Sequence, residues 1–386
     1  MERALELATM GIGKVNPNPL VGAVIVKDGE IIGEGYHECY GEAHAERNAV
    51  KNAVKSVEES TIYVTLEPCA HYGKTPPCVD LIIEKKFKKV VIGMLDPNEL
   101  VAGKSIEKLK NHGIEVVVGV KEEECKKMNE IFIRYITSKI PFVVLKSGIS
   151  LDGKIATYSG NSKWITSKES REDAQNLRNR LNSIMVGVNT IITDDPELTC
   201  RINNEKKLIR IVVDTKLRIP LDSKVIKNND KQTIVATTIS SDEEKKKTLR
   251  DLGVKVIEVS EKNNKVNLKE LVKKLGQEGI DSILVEGGGT LNFSALEEKI
   301  VDKVIFYIAP KILGGENSKS CIAGLGFSEL NDAVNLKDIS YRKVSEDLVV
   351  EGYIKWFWLN IISNYKINYE IKEEKCLLEL LKKLEL

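Results

Sequence analysis

The chain lacks an uninterrupted apolar run of the roughly 20 residues that a membrane-spanning helix needs. Its first residues, MERALELATM, include acidic side chains and lack the basic, apolar and small-residue order of a secretion signal. Seven cysteines, an odd number scattered through 386 residues, argue against a disulfide framework and for reduced thiols or metal ligands. We therefore expect a cytoplasmic protein with no membrane partner.

An excess of charge of one sign is also missing, because 58 basic and 57 acidic residues leave a formal net charge of +1. No bulk electrostatic field therefore favours nucleic acid as a partner. At roughly 100–200 residues per domain, the length predicts two domains. Helix-like and strand-like runs alternate in both halves, which predicts α/β layered domains.

The coarse pattern of elements suggests where the domains end. A tight turn at Asp28–Gly29 joins two strand-like runs, and single helices are expected over 43–56 and 121–138. A boundary near Lys139–Pro141 separates the last of these helices from the strand that follows. The predicted domains are listed with the remaining segment: 1–140, 141–356, and a C-terminal extension, 357–386, that ends in an amphipathic helix of unknown role.

The most informative pattern is His44-Ala45-Glu46 followed by Pro68-Cys69 and, nine residues further, Cys78. One imidazole and two thiolates make three ligands for a tetrahedral Zn²⁺, leaving a fourth position for water. Zinc makes hydroxide available near neutral pH, and Glu46 is placed to move the proton. This is the zinc-deaminase signature, except that eight residues separate the cysteines instead of two.

Three other interpretations of this pattern stay open. A structural zinc site would need a fourth ligand, for which Cys39 and His71 are the nearest candidates. The pattern also fits a deaminase of free nucleosides or nucleic-acid bases with a C-terminal domain that is not a reductase. A zinc-stabilised binding protein without turnover is the non-enzymatic alternative.

The second half has no G-x-G-x-x-G after its first strand, which argues against a Rossmann dinucleotide domain. Instead, a strand-like run ends in Glu286 and is followed by Gly287-Gly288-Gly289-Thr290 and a helix. Such a turn exposes backbone N–H groups, and a helix N-terminus favours a phosphate. By itself this cluster is also compatible with a plain strand–turn–helix connection.

Several long motifs resemble one family, the bifunctional riboflavin biosynthesis deaminase/reductases. In the first half these are PNPLVGAVIV at 17–26, YGEAHAE at 40–46, EPCAHYGKTPPC at 67–78 and DPNELVAGK at 96–104. In the second half they are KSGISLDGKIA at 146–156, NSKWITS at 161–167, VGVNTIITDDPELTCR at 186–201 and VEGGGTLN at 285–292. The resemblance covers about residues 1–355.

This resemblance implies a cytidine-deaminase-like three-layer α/β/α domain followed by a dihydrofolate-reductase-like α/β domain. It implies deamination of a diaminopyrimidinone that carries a ribosylamino 5′-phosphate, and then reduction of the ribosyl chain by NADPH. A homo-oligomer is expected.

The implied site residues fall into four groups. The metal ligands are His44, Cys69 and Cys78, and the catalytic residue is Glu46. The substrate contacts are Asn18, His37, His71 and Lys74 in the first domain, and Ser162, Arg178, Leu198, Arg201 and Glu286 in the second. The NADPH contacts are Gly148, Trp164, Thr190, Asp194, Gly288, Gly289 and Thr290.

Overall fold

The computed structural model describes residues 1–70, 72, 76–98, 102–203 and 206–355. Within these residues the chain divides into two compact units, with the boundary between Ser138 and Lys139. His71, Lys74 and the helix expected within 357–386 lie outside the described residues. Every described helix is too short or too polar to cross a bilayer.

The first unit is built on one sheet of five strands in the order β2-β1-β3-β4-β5. Its elements in chain order are α1 (Glu2–Thr9), β1 (Gly22–Lys27), β2 (Glu30–Tyr36), α2 (Ala45–Lys51), β3 (Thr61–Leu66), α3 (Cys78–Glu84), β4 (Lys89–Met94), α4 (Lys104–Asn111), β5 (Glu115–Val118), α5 (Glu122–Met128) and α6 (Glu130–Ser138). β1 pairs antiparallel with β2 and β3, and the pairs β3–β4 and β4–β5 are parallel.

Both faces of this sheet are covered by helices because side chains alternate along each strand. On one face Ala23 and Ile25 of β1 share a buried cluster with residues of α2, α3 and α4. On the other face Val24 packs against Leu7 of α1. The predicted three-layer α/β/α arrangement is confirmed.

The second unit is built on one sheet of nine strands in the order β11-β10-β9-β8-β14-β6-β15-β18-β17. Its elements in chain order are β6 (Phe142–Ser150), β7 (Lys154–Ala156), α7 (Lys168–Arg180), β8 (Ser183–Gly187), α8 (Val188–Asp194), β9 (Ile209–Val213), α9 (Lys224–Lys227), β10 (Thr233–Thr238), α10 (Glu243–Asp251), β11 (Lys255–Val259), β12 (Glu261–Lys262), β13 (Lys265–Val266), α11 (Leu268–Gln277), β14 (Ser282–Val285), α12 (Gly289–Glu297), β15 (Lys303–Ala309), β16 (Lys319–Ser320), a 3-10 turn (Leu330–Asp332), β17 (Leu336–Val344) and β18 (Asp347–Ile354).

This large sheet is parallel from β11 to β15 and antiparallel only at β18 and β17. Its two faces carry separate buried clusters, one with residues of α11 and α12 and the other with residues of α8, α9 and α10. Ligands of such sheets bind beyond the carboxyl ends of the strands. The ends of β8, β9 and β14, which are neighbours in the sheet, therefore locate the second site.

Two predicted helices are shorter than expected. The helix expected over 43–56 is α2 and ends at Lys51. The single helix expected over 121–138 is wrong, because it is interrupted at Asn129 between α5 and α6. The Asn129 side chain accepts a hydrogen bond from the Leu20 amide at 2.8 Å and donates one to the Leu20 carbonyl at 3.0 Å.

Candidate active sites

His44, Cys69 and Cys78 form a compact group in the first unit. The His44 Nδ1 atom lies 3.5 Å from the Cys69 Sγ and 3.4 Å from the Cys78 Sγ, and all three ligand atoms lie within 4.8 Å of one another. Zinc bonds of about 2.3 Å to sulfur and about 2.0 Å to nitrogen place a sulfur and a nitrogen ligand about 3.5 Å apart in a tetrahedral site. The donor set and its spacing therefore fit Zn²⁺. Cys39 is exposed and does not belong to this group.

Local structure brings these ligands together from two helix starts and one loop. His44 is the residue immediately before α2, and Cys78 is the first residue of α3. Cys69 lies in the loop after β3, and its sulfur accepts a hydrogen bond from the Cys78 amide at 3.3 Å. Helix α2 can approach the sheet because Gly35 has no Cβ atom. A Cβ atom there would stand only 2.3 Å from the Ala49 nitrogen.

Electrostatics favour a cation at this group. The hydrogen bond from the Cys78 thiol, followed by that from His44, lowers the pKa of the Cys69 thiol to about 4. Glu46 lies in the first turn of α2 and is 3% exposed. Burial, and then the charge of Cys69, raises the pKa of Glu46. A buried carboxyl group beside three converging ligand atoms is suited to proton transfer at a bound metal.

Asn18 and His37 lie on the same side of the first unit as the ligands. The His37 ring is buried and lies 5.7 Å from the His44 ring, between centroids, in an edge-on arrangement. Its Nδ1 faces the Ala43 carbonyl at 3.1 Å, and its Nε2 faces the Asn18 amide nitrogen at 3.1 Å. With Nδ1–H donating to Ala43, Nε2 accepts from Asn18. Burial lowers the pKa of His37, which favours this neutral form.

Glu67 is a buried residue of this region to which the sequence analysis gave no role. Its carboxylate accepts hydrogen bonds from the Ser105 hydroxyl at 2.6 Å and the Gly103 amide at 2.9 Å. It also accepts from the Asp96 amide at 3.3 Å. Two residues before Cys69, it thus ties the loop that carries a metal ligand to the segment after β4. A glutamate directly before Pro-Cys was the available signal.

The second unit contains a cleft of about 910 Å³ at the carboxyl ends of its central strands. Seven predicted contacts line it, namely Ser162, Thr190, Asp194, Glu286, Gly288, Gly289 and Thr290. Residues at the end of β9 and on β13 also line it, among them Lys216, Arg218 and Lys265. The sequence analysis missed these three. The rule that ligands bind beyond the ends of parallel strands, applied to the strand ending near residue 213, would have found the first two.

Two helix N-termini face this cleft. Gly187 and Gly288 are the residues immediately before α8 and α12, and both line it. A Cβ atom at Gly289 would stand 2.4 Å from the Ser320 carbonyl oxygen, whereas one at Gly288 would meet no atom within 4 Å. The turn is therefore closely packed at Gly289, whereas at Gly288 it leaves open space. Free N–H groups at two helix starts fit the diphosphate of a dinucleotide.

Glu286 follows β14 and is neutralised by cations of the chain itself. The Arg178 Nη2 lies 2.7 Å from one carboxylate oxygen and its Nε lies 3.4 Å from the other. Burial alone would raise the pKa of Glu286, but Arg178, Lys146 and Arg201 lower it to about 2. Glu286 is therefore a fixed anion at the cleft wall.

The remaining predicted contacts surround this ion pair or lie beyond the cleft lining. The Arg178 Nη1 donates to the Thr199 carbonyl at 2.9 Å, which fixes the segment between Leu198 and Arg201. Leu198 itself is buried. The other two predicted contacts are Trp164, which lies within the segment 162–167, and Gly148, which lies next to that segment. Trp164 is 61% exposed with its ring 4.2 Å below the Arg171 guanidinium, and a Cβ atom at Gly148 would stand 3.2 Å from Thr166.

Comparisons with known proteins match both halves of the chain. The family model of the cytidine and deoxycytidylate deaminase zinc-binding region matches residues 1–94, and that of the RibD C-terminal domain matches residues 141–350. The riboflavin biosynthesis protein RibD of Actinobacillus pleuropneumoniae is 49% identical over 351 residues, which are 91% of this chain and 93% of that protein. The chain belongs to the RibD family.

Other RibD proteins support the same assignment. That of Aquifex aeolicus is 45% identical and covers 91% of this chain and 96% of its own. The solved structure of Acinetobacter baumannii RibD has a TM-score of 0.81 at 36% identity and covers 92% of this chain and 97% of its own. A diaminohydroxyphosphoribosylaminopyrimidine deaminase/5-amino-6-(5-phosphoribosylamino)uracil reductase from Thermotoga maritima has a TM-score of 0.78 at 38% identity, over 92% of this chain and 97% of its own.

The family assignment decides between the interpretations left open by the sequence. The chain is a bifunctional enzyme of riboflavin biosynthesis, with a zinc-binding deaminase domain and a reductase domain. The alternative with a C-terminal domain that is not a reductase is wrong, because the RibD C-terminal model covers residues 141–350. The non-enzymatic alternative is wrong because both the deaminase and the reductase domains of the RibD family are found.

Proposed function

We propose that the first unit deaminates 2,5-diamino-6-ribosylamino-4(3H)-pyrimidinone 5′-phosphate and that the second unit reduces the product with NADPH to 5-amino-6-ribitylaminouracil 5′-phosphate. The observation that carries the first step is the burial of Glu46 beside a His/Cys/Cys group with the spacing of a tetrahedral zinc site. The second step is supported by a cleft with two helix N-termini in the reductase unit.

In the first reaction His44, Cys69 and Cys78 would hold Zn²⁺. Bound zinc supplies a water molecule whose pKa is lowered toward neutrality. Glu46 accepts the proton of that nucleophile and delivers a proton to the departing amine. Asn18 and His37 are proposed contacts for the pyrimidine ring, and His71 and Lys74 are proposed contacts for its polar groups and phosphate.

In the second reaction the nicotinamide supplies a hydride to the ribosyl carbon attached to nitrogen, and the sugar ring opens. We assign the NADPH contacts to Gly148, Trp164, Thr190, Asp194 and the turn Gly288–Thr290. The proposed substrate contacts are the residues around the ion pair of the cleft: Ser162, Arg178, Leu198, Arg201 and Glu286.

Within this set, two arginines have different tasks. Arg178 already donates two hydrogen bonds to Glu286, so its role is to hold that carboxylate in place. Arg201 is exposed, and we assign its guanidinium to the substrate phosphate.

A Glu46→Gln variant tests the deaminase mechanism. Loss of proton transfer is expected to lower ammonia release by about 10²- to 10⁴-fold while bound zinc, measured by metal analysis, stays at the wild-type level. Glu42→Gln, at an exposed position four residues earlier, is the control and should retain activity. Full ammonia release by the Glu46 variant would contradict the assignment.

A second assay tests the reductase step. When deaminated substrate is supplied, the loss of NADPH absorbance measures the oxidation of NADPH. We also propose that the chain works as a homo-oligomer in the cytoplasm. Light scattering on the purified chain measures the oligomeric state, and a monomer would contradict it.

A further inference from the structure

Two proposed contacts of the reductase lie close together in a stretch of irregular backbone. Ser162, which lines the cleft, and Trp164 belong to residues 162–167, which we call the contact segment. This segment lies between β7 and α7, outside both elements. Neither a sheet nor a helix therefore fixes the proposed contact for substrate and the proposed contact for NADPH, and other parts of the unit have to hold them in place.

The end of the contact segment next to α7 is held by two side chains. The Ser167 amide donates a hydrogen bond at 2.8 Å to Asp347, whose carboxylate is fully buried. The Arg171 Nη1 donates to the Thr166 carbonyl at 2.7 Å. These two hydrogen bonds fix the last two residues of the segment, at the point where the chain enters α7.

A lysine from a distant part of the chain holds the middle of the contact segment. The Lys311 Nζ donates to the Ile165 carbonyl at 2.7 Å and to the Trp164 carbonyl at 3.3 Å. Hydrogen bonds from an ionised donor are stronger than those between neutral groups. Because one charged group binds two successive carbonyls, it fixes the orientation of the backbone at the residue that carries the Trp164 ring.

The backbone of Lys311 is fixed in turn. β6 and β15 are parallel neighbours with Ser150 opposite Ala309, so the loops that follow them leave the sheet at the same edge. The Leu151 amide of one loop donates to the Lys311 carbonyl of the other at 2.7 Å. This edge is the carboxyl end of the strands, where the cleft lies.

Asp152 adds a second connection between these two loops. Its carboxylate accepts hydrogen bonds from the Leu313 amide at 3.1 Å and from the Gly314 amide at 2.7 Å. It also accepts one from the Ser150 hydroxyl at 2.6 Å. The Ser150 hydroxyl, followed by the two amides, lowers the pKa of Asp152 to about 2, so that this carboxylate is ionised at neutral pH. The loop that carries Lys311 is thus bonded to the loop after β6 at residues 311, 313 and 314.

Hydride transfer requires the nicotinamide and the ribosyl carbon to be held close together, and a displacement of about 1 Å can cost about 100-fold in rate. We propose that Lys311 is a positioning residue of the reductase, which holds the contact segment and thereby aligns NADPH with the substrate. Asp152 acts through Lys311 by fixing the loop that carries it. The inference rests on the proposed roles of Ser162 and Trp164 in the second reaction.

Steady-state kinetics of the full chain with deaminated substrate and NADPH test the role of Lys311. Lys311→Met keeps the length of the side chain and removes its donor. We expect kcat for NADPH oxidation to fall by about 10-fold to 100-fold, with less than about a 3-fold rise in either KM, because most proposed contacts of both reactants lie elsewhere. Lys311→Arg restores a charged donor and should recover most of kcat. Lys343→Met, at an exposed position of β17, is the matched control and should leave kcat unchanged.

Two further measurements separate positioning from a merely structural role. With NADPH deuterated at the transferred position, Lys311→Met should show a primary isotope effect on kcat, because hydride transfer then limits turnover. Asp152→Asn should lower kcat by less than Lys311→Met, and the double variant should be no slower than Lys311→Met alone. Additive losses would show that Asp152 does not act through Lys311 and would overturn that connection.

The possible failures are distinguishable. Wild-type kcat in Lys311→Met, a loss of kcat without an isotope effect, or an equal loss in Lys311→Arg overturns the inference and leaves the reductase assignment. A rise in KM of more than about 10-fold at unchanged kcat would assign Lys311 to binding alone and also overturn it. So would a loss of circular dichroism that matches the loss of kcat. If the wild type does not oxidise NADPH with deaminated substrate, the inference fails together with the proposed function.

Discussion

The metal group and the reductase cleft obtain their positive charge in different ways. In the first unit the Cys69 and Cys78 thiols lie close to the Glu46 carboxyl group, and a bound metal ion is needed to compensate their negative charge. In the second unit Arg178, Lys146 and Arg201 of the chain itself surround Glu286. The first site therefore depends on a ligand for its charge balance, whereas the second is balanced by the fold. This difference predicts which perturbations damage which unit.

The largest expected effect comes from Cys78→Ser. The variant should lose bound zinc and essentially all ammonia release, because an alcohol is a poor substitute for a thiolate ligand. Reduction of deaminated substrate should continue, since the cleft of the second unit uses no residue of the metal group. Metal analysis and the two activity assays measure this. Cys39→Ser is the matched control, and loss of zinc from that variant would instead point to a fourth ligand.

Arg178→Ala tests the opposite kind of site. Its side chain and that of Glu286 are 13% and 15% exposed, so removing the arginine leaves a carboxylate largely buried without its main partner. We expect a loss of about 3–5 kcal/mol in the free energy of unfolding of the second unit and a severe loss of NADPH oxidation. Calorimetric unfolding measures the change in the free energy of unfolding, and the absorbance assay measures NADPH oxidation.

Lys168→Ala, which removes an exposed lysine on the same helix, controls for substitutions in α7. It should cost less than about 1 kcal/mol. Equal unfolding of Arg178→Ala and wild type would show that Arg178 does not compensate Glu286. Intact deaminase activity in Arg178→Ala would support the separation of the two sites.

Acid should weaken the second unit through Glu286. The pKa of this carboxyl is about 2 in the folded chain against an ordinary value of 4.5, so its ionised form stabilises the fold. The contribution, about 3 kcal/mol, is complete above about pH 4.5 and is lost progressively as the pH falls towards 2. Urea unfolding followed by tryptophan fluorescence at pH 6 and pH 3 measures it.

The comparison with Glu286→Gln isolates this group from other carboxyls. The variant should be less stable at pH 6 and should approach the wild type at pH 3. Glu297→Gln, at an exposed position of α12, should follow the wild type at both pH values. A constant difference between Glu286→Gln and wild type across this range would refute the assignment.

The smallest expected effect is that of Gly35→Ala. The new Cβ atom would stand 2.3 Å from the Ala49 nitrogen and 2.6 Å from the Ala45 oxygen, so α2 has to move away from the sheet. Overpacking of this kind costs about 1–3 kcal/mol and shifts the helix that begins after His44. Lower zinc affinity, measured by competition with a chromogenic chelator, is expected together with unchanged NADPH oxidation. Wild-type zinc affinity would mean that α2 tolerates the displacement.

Local patterns were sufficient for many elements but not for all. The turn at Asp28–Gly29 and its two strands follow from alternation and turn chemistry, and the structure has them. The strand Leu336–Val344 escaped because most of its residues are exposed and it has no apolar alternation. Its formation depends on hydrogen bonds to Asp347–Ile354. The helix break at Asn129 depends on a partner, Leu20, that is distant in the chain.

The candidate sites differ in the same way. The two cysteines of the metal group and its histidine lie within one short stretch of the sequence, and their residue types already define a zinc donor set. The cleft instead collects residues from Ile155 to Ala323 through the order of strands in a parallel sheet. No local spacing indicates that Lys216 and Lys265 line the same cleft, which is why the sequence analysis missed both residues.

The sequence by itself determined the donor atoms, the acid–base residue and the alternation of elements that produces two layered domains, because these depend on residue types and short spacings. Only the tertiary structure decided how the carboxylate of Glu286 is compensated and which cations meet at the cleft. Those properties depend on distances between residues far apart in the chain, and the strength of an electrostatic interaction follows such distances and burial.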